Sequence, residues 1–169
     1  MRRAIPVLAG ALILSLTSAC TPSVPIPPPG PTDAEKLAAA DALDQRFFDA
    51  FNKGDADALA ATYWNSPDLV SIGPEGMVTK GWDAAKTGAV EMFKAMPGAK
   101  LENLTHHNAV HGDVVLGSGT WKMTIPTPGG PQVIEGRYTD AKMMHDGKWV
   151  YVMDHASVPL PPAPAAPKK

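Results

Sequence analysis

The adjacent pair Asp154-His155 combines a carboxylate with an imidazole, the two side chains most often used to move protons near neutral pH. On a strand, neighbours point to opposite faces, so one of the two faces any given pocket. The competing reading is structural, with either group hydrogen-bonded to a neighbouring strand or to a second subunit. Four more histidines follow the same logic. His106 and His107 are also adjacent, which leaves His107 as the candidate for a ligand-facing position. His111 and His145 sit beside turn residues and read as solvent-exposed. Arg137 alternates with Tyr138. Facing inward, its guanidinium binds a carboxylate through two hydrogen bonds; facing outward, it is a surface residue. Tyr63 and Trp121 are candidates for an apolar binding wall, with core packing as the alternative. A metal site needs about three convergent ligands. His107, Asp154 and His155 supply them only if their strands align, so neither a metal nor another cofactor is expected.

Cys20 is the single cysteine of the 169 residues, and its neighbourhood gives it a role. Arg2 and Arg3 precede an apolar run from Ala4 to Leu16, too short to span a bilayer. Small residues then lead to the cysteine in Leu16-Thr17-Ser18-Ala19-Cys20. This layout is a secretory signal, and its end resembles the bacterial lipobox, whose cysteine becomes the lipidated first residue of the mature protein. Thr17 stands where leucine is commoner, and ordinary cleavage after Ala19 is the alternative. Thr21 rather than aspartate follows Cys20, which points to the outer membrane, with the domain facing the periplasm. Without lipidation the same signal delivers a soluble periplasmic protein.

Composition narrows the rest. Taking Arg2 and Arg3 from the 15 basic residues, against 17 acidic ones, moves the formal charge from −2 to about −4. No basic block occurs, so nucleic acid is not an expected partner. With Cys20 lipidated or removed no thiol remains, which excludes disulfides, thiolate metal sites and cysteine nucleophiles. Prolines concentrate in two segments, residues 21–31 (TPSVPIPPPGP) and 159–169 (PLPPAPAAPKK). The first reads as an extended spacer of roughly 30 Å, and the second as a disordered tail. The domain is therefore expected over 32–158, after a leader at 1–20.

Within it, Thr32-Asp33-Ala34-Glu35 matches the reciprocal capping box of a helix N-terminus. Leu37, Ala40, Leu43, Phe47 and Phe51 recur at helical spacing behind it, and Gly54 ends the helix. Asp55 caps a second helix expected to reach Tyr63-Trp64. Strands are expected at 68–72 and 77–80, a third helix from Gly81-Trp82 to Met96, then strands at about 99–111, 113–125, 132–144 and 148–157. His145-Asp146-Gly147 is a strong hairpin signal. Helices followed by hairpin-linked strands make an α+β domain with a mostly antiparallel sheet.

That order, with Phe51-Asn52-Lys53-Gly54-Asp55, Val78-Thr79-Lys80-Gly81-Trp82, Gly136-Arg137-Tyr138-Thr139 and Asp146-Gly147-Lys148-Trp149, resembles the nuclear transport factor 2-like superfamily. Within it, the SnoaL-like and ketosteroid-isomerase-like branch is the most similar. The ending with His155-Ala156-Ser157 is also similar to the association domain of calmodulin-dependent kinases. The resemblance implies a cone of three N-terminal helices packed on a curved sheet, with a pocket inside and the last strand central. It implies that Asp154 or His155 has its acidity displaced by burial in that pocket. The isomerase residues themselves are missing. Phe47 falls where that enzyme's helix-one tyrosine is implied, Ser71 or Ile72 at its strand base, and Arg137 at its second aspartic acid. None can do that chemistry.

The expected function is a membrane-tethered periplasmic domain, anchored through Cys20, that binds a small apolar or weakly acidic molecule or forms a homodimer, with no evident catalytic set. The alternative is a SnoaL-like isomerase, cyclase or dehydratase using Asp154 or His155 as general acid/base. Arg137 or Tyr63 would then orient the substrate.

Overall fold

A computed structural model describes residues 30–159. The expected leader, Cys20, nearly all of the proline-rich spacer and the tail beyond Pro159 lie outside the described residues. Helix α1 spans Asp33–Lys53. The capping box is formed as expected: Thr32 Oγ1 accepts from the Glu35 amide, and Glu35 accepts from the Thr32 amide at 2.7 Å. Gly54 closes the helix at φ 69°, a left-handed conformation that costs glycine no side-chain clash.

Helix α2 covers only Ala56–Ala60, four residues short of the expected end. The Thr62 hydroxyl bonds back to Leu59 O at 2.6 Å, and the chain then runs beside the last strand. Tyr151 N donates to Thr62 O, and Trp64 N to Tyr151 O, both at 2.9 Å. Tyr63 is thereby held in a parallel bridge to Tyr151 rather than ending a helix. Strands β1 (Val70–Ile72) and β2 (Val78–Lys80) form a short hairpin before helix α3 (Trp82–Ala95). The Trp82 indole donates to Ala60 O at 2.9 Å, tying α3 to the end of α2.

Four long strands follow: β3 (Lys100–His111), β4 (Val114–Ile125), β5 (Gln132–His145) and β6 (Lys148–Ser157). They lie within a residue or two of the expected bounds. The six-stranded sheet has the order β2-β1-β6-β5-β4-β3. Every pairing is antiparallel except β1 with β6. The domain is an α+β cone with helices packed over a curved, mostly antiparallel sheet, as the sequence implied. Register shifts interrupt the β3–β4 ladder at Leu104 and the β5–β6 ladder at Val152. An extra residue in one strand bends it and increases local twist, which curls the sheet toward α1.

Two apolar clusters fill the space under the curl. One joins Phe51, Leu59, Ala89, Trp121 and Met123; the other joins Ala40, Leu43, Val115, Trp149 and Tyr151. Phe47 packs against both. Each fully buried large side chain contributes on the order of 1.5–3 kcal/mol. No helix among the described residues is long and apolar enough to cross a membrane.

Candidate active site

Between the two clusters the packing does not close. A cavity of about 380 Å³ lies between α1, α3 and the concave face of the sheet. Phe47, Phe51, Met92, Met123 and Trp121 give it a largely apolar wall, and carboxyls enter it from the sheet. The volume is within the range of small-molecule sites.

Asp154 lines this cavity from β6. Tyr63 Oη donates to its Oδ2 at 2.6 Å, while Oδ1, shielded from solvent, carries no hydrogen bond. Burial pushes the Asp154 carboxyl up from its ordinary value; Ser71, its register neighbour on β1, and the Tyr63 hydroxyl pull it part of the way back, as does His155. Burial also holds the Tyr63 phenol protonated far above its usual range, with the Asp154 charge adding to the effect. The pair is therefore a phenol that donates and a carboxyl whose Oδ1 lacks a well-formed hydrogen bond, with the Ser71 hydroxyl near enough to act on the group.

A second polar group sits beside it. Tyr138, Asp140 and Lys142 alternate along β5 toward the helix side, and Lys142 is fully buried. Its ammonium lies 2.8 Å from Asp140 Oδ1 and 3.1 Å from Asp44 Oδ1 on α1, and it donates to Asn108 Oδ1 at 2.8 Å. Asn108 in turn donates to Asp44 Oδ2 at 2.9 Å and Asp41 Oδ1 at 2.8 Å. The Tyr151 hydroxyl donates to Asp44 Oδ1. Asp140 Oδ1, though close to the ammonium, lies off the direction of a hydrogen bond. Burial raises the Asp140 carboxyl to about 6, against the lowering pull of Lys142 and with smaller upward pushes from Asp44 and Asp154. Gly117 on β4 makes this arrangement possible. A Cβ there would collide with the Asp140 carboxyl and the Lys142 ammonium together, so only glycine lets both charged heads lie against the strand.

Of the residues singled out from the sequence, Asp154, His155, Tyr63 and Trp121 all line the cavity. The expectation that only one of the adjacent Asp154 and His155 meets a given pocket fails, because the cavity reaches the part of β6 paired with the short strand β1, where Ser71 and Ile72 line it too. The Trp121 indole donates to Arg137 O at 3.2 Å. Arg137 itself is not brought there. It is exposed on the other face of β5 and its Nε contacts Ser157 Oγ at 3.4 Å. His107 is likewise exposed and absent from the cavity wall, because its neighbours His106 and Asn108 are the ones that turn toward Asp41 on α1. His145, read as a free turn residue, stacks on Trp64 with ring centroids 4.5 Å apart. No cluster of three or more His, Cys, Asp or Glu suited to a metal occurs among the described residues.

Asp44, Asp140, Lys142 and Tyr151 were missed by sequence reasoning, yet the first three left a trace. Asp44 interrupts the apolar stripe of α1 between Ala40 and Phe47. Asp140 and Lys142 are two apart, hence on one face of a strand whose next inward neighbour is Tyr138.

The comparisons agree with this geometry at the level of fold and family. The SnoaL-like domain family matches residues 45–152, more than half of the chain. A candidate dehydratase of the nuclear transport factor 2-like family from Streptomyces avermitilis is similar at 16% identity and TM-score 0.71, over 77% of this chain and 100% of that one. A nuclear transport factor 2-like superfamily protein from Salmonella enterica is 20% identical at TM-score 0.66, over 77% and 96%. A candidate association domain of a calcium/calmodulin-dependent kinase type II from Thiobacillus denitrificans is 22% identical at TM-score 0.63, over 71% and 94%. No curated protein matches the sequence. The match over residues 45–152, on a six-stranded cone with the same order of elements, means that this chain belongs to the SnoaL-like family.

Proposed function

We propose that the domain is an enzyme that moves a proton on a small, largely apolar molecule held in the cavity, a reaction of the isomerase or dehydratase kind. The observation that carries this reading is the Asp154 carboxyl. It is buried at the cavity, held through Oδ2 by Tyr63, and left with Oδ1 unpaired. An unpaired buried oxygen is costly in a merely structural role. In a base, it is the atom that accepts the substrate proton. Asp154 takes a proton from a carbon beside a carbonyl and returns it to another atom of the same molecule. Tyr63 keeps the carboxyl oriented throughout. The dehydratase-like relative supports the reaction class, and the apolar wall supports the substrate class. Incubating the purified protein in deuterated water with a panel of cyclic ketones and following carbon-bound deuterium by NMR tests the proposal. Deuterium gained only with protein supports it, and none with any ketone counts against it.

Two further expectations belong to the same reading. The convex face of the sheet presents Leu116 and Met153, 45% and 42% exposed, in one row across Ala141, a surface suited to a homodimer. Native mass spectrometry of the purified protein reads the subunit count directly, and a monomer would count against pairing. The tether at Cys20 is tested by Cys20→Ala, which moves the protein from the membrane to the soluble fraction if that thiol carries the lipid.

A further inference from the structure

Carboxyls outnumber the groups able to carry positive charge on the wall of the cavity, where, among the described residues, His155 is the single imidazole. Asp44, Asp140, Asp154 and, at the loop after β1, Glu75 line it, and among the described residues no lysine or arginine does. Arg137, the cation that would have received an acidic ligand, lies on the opposite face of the sheet. Lys142 is the single cation among the three inner carboxyls, and it is sealed off behind them at zero exposure. Hydrogen bonds do not complete the compensation. Asp154 Oδ1 accepts none, and Asp140, only 7% exposed, is compensated at Oδ1 by the Lys142 ammonium at 2.8 Å alone. Aromatic rings line the same space. Phe47 stands edge-on to both Tyr63 and Tyr151 at centroid distances of 6.2 and 5.7 Å, and Tyr138 and Trp121 complete the ring of π-systems.

An excess of buried carboxyl oxygen in a low-dielectric pocket attracts a cation and repels an anion. Aromatic walls add cation–π attraction for an ammonium while accepting its hydrocarbon body. From this geometry we infer that the cavity selects a small apolar amine, bound as its ammonium between Asp154 and Asp140 with its hydrocarbon part against Phe47, Tyr138 and Trp121. The inference rests on the cavity described above and not on the ketone exchange; it names the ligand class that the charge of that site favours. The rival occupant is a neutral carbonyl compound hydrogen-bonded to a protonated carboxyl.

The two occupants respond oppositely to pH. An ammonium requires ionised carboxyls, so its binding expels protons and strengthens as pH rises through about 6, where Asp140 titrates. The groups facing Asp140 are Lys142 and Tyr138 on its own strand, Asp44 on α1, Asp154 and Tyr151 on β6, and Tyr63, while His155 on β6 lines the same cavity and acts on Asp154. All three tyrosines stay protonated across that range. A neutral ligand held by a protonated carboxyl weakens over the same interval.

The test is calorimetric titration of the purified protein with three near-isosteric probes: 2-(1-naphthyl)ethylamine, 2-(1-naphthyl)ethanol and 1-naphthylacetate. At about pH 7.5 the amine is expected to bind at least about tenfold more tightly than the alcohol, and the carboxylate more weakly than either. Near pH 5 the amine is expected to lose most of that advantage. Asp154→Asn is expected to weaken the amine more than the alcohol. Equal binding of amine and alcohol, or preference for the carboxylate, overturns the ammonium inference and leaves the ketone-exchange result standing on its own. No binding by any of the three overturns this inference and the cavity reading together.

Discussion

Lys142→Met is expected to destabilise the domain by about 3–5 kcal/mol near neutral pH, measured by urea denaturation. The methionine roughly matches the lysine stem in length, so the loss is one of charge rather than volume. Among the described residues, Lys142 is the only cation paired with Asp44 or Asp140. Without it the fold must either bury two uncompensated carboxylates or protonate them. The pH dependence identifies this cause. Asp140 titrates at about 6 in the folded chain, above its ordinary 3.8. A raised acid favours the folded state fully below its unfolded value, and that contribution is lost as pH rises through about 6. Removing Lys142 takes away a pull that lowers Asp140, so its midpoint rises further, and the deficit is full above that new midpoint and shrinks as pH falls from there to about 6. A deficit constant across that interval would mean that packing, not charge, is what Lys142 contributes. Adding Asp140→Asn to the lysine variant should restore part of the loss, because an amide needs no counter-ion.

Asp154→Asn is expected to lower turnover by about 10²–10⁴-fold on any ketone that exchanges its α-protons in the wild type. Asparagine keeps the shape, and its carbonyl oxygen still accepts the Tyr63 hydrogen bond now seen at 2.6 Å. Only the capacity to take a proton disappears. The loss should therefore fall on kcat with KM little changed. Tyr63→Phe separates positioning from proton transfer. It removes a hydrogen bond that favours the ionised Asp154 carboxylate, so the limb of the rate profile that reports the base moves to higher pH. A variant Asp154→Asn that exchanges α-protons at the wild-type rate would move the chemistry elsewhere in the cavity.

The helix starts, hairpins and long strands were legible because each is written locally. The Thr32–Glu35 box, the Gly54 stop and the Asp146-Gly147 turn are short-range signals with one dominant backbone solution. The end of α2 was not, because Ala61 to Trp64 gains more from hydrogen bonds to Tyr151 than from another helical turn. That partner lies almost ninety residues away. Half of the site followed the same division. Asp154 was visible as an ionisable group on a late strand, and Tyr63 as a candidate for the pocket wall at the expected end of the second helix. Arg137 depended on which face of β5 turns inward, and the inward face is fixed by Tyr138, Asp140 and Lys142 meeting Asp44 across the core. A buried charged cluster is hard to read from a sequence, since any one of its members alone reads as a surface residue.

The most direct test is a carboxyl ¹³C NMR titration of the purified protein with labelled aspartate. If the inner end of the cavity is dry and holds proton-active carboxyls, Asp140 titrates with a midpoint at about 6 and Asp154 above the ordinary 3.8. Midpoints at or below the ordinary aspartate range for both residues would mean that water or unseen partners satisfy them, and the site would lose its chemistry.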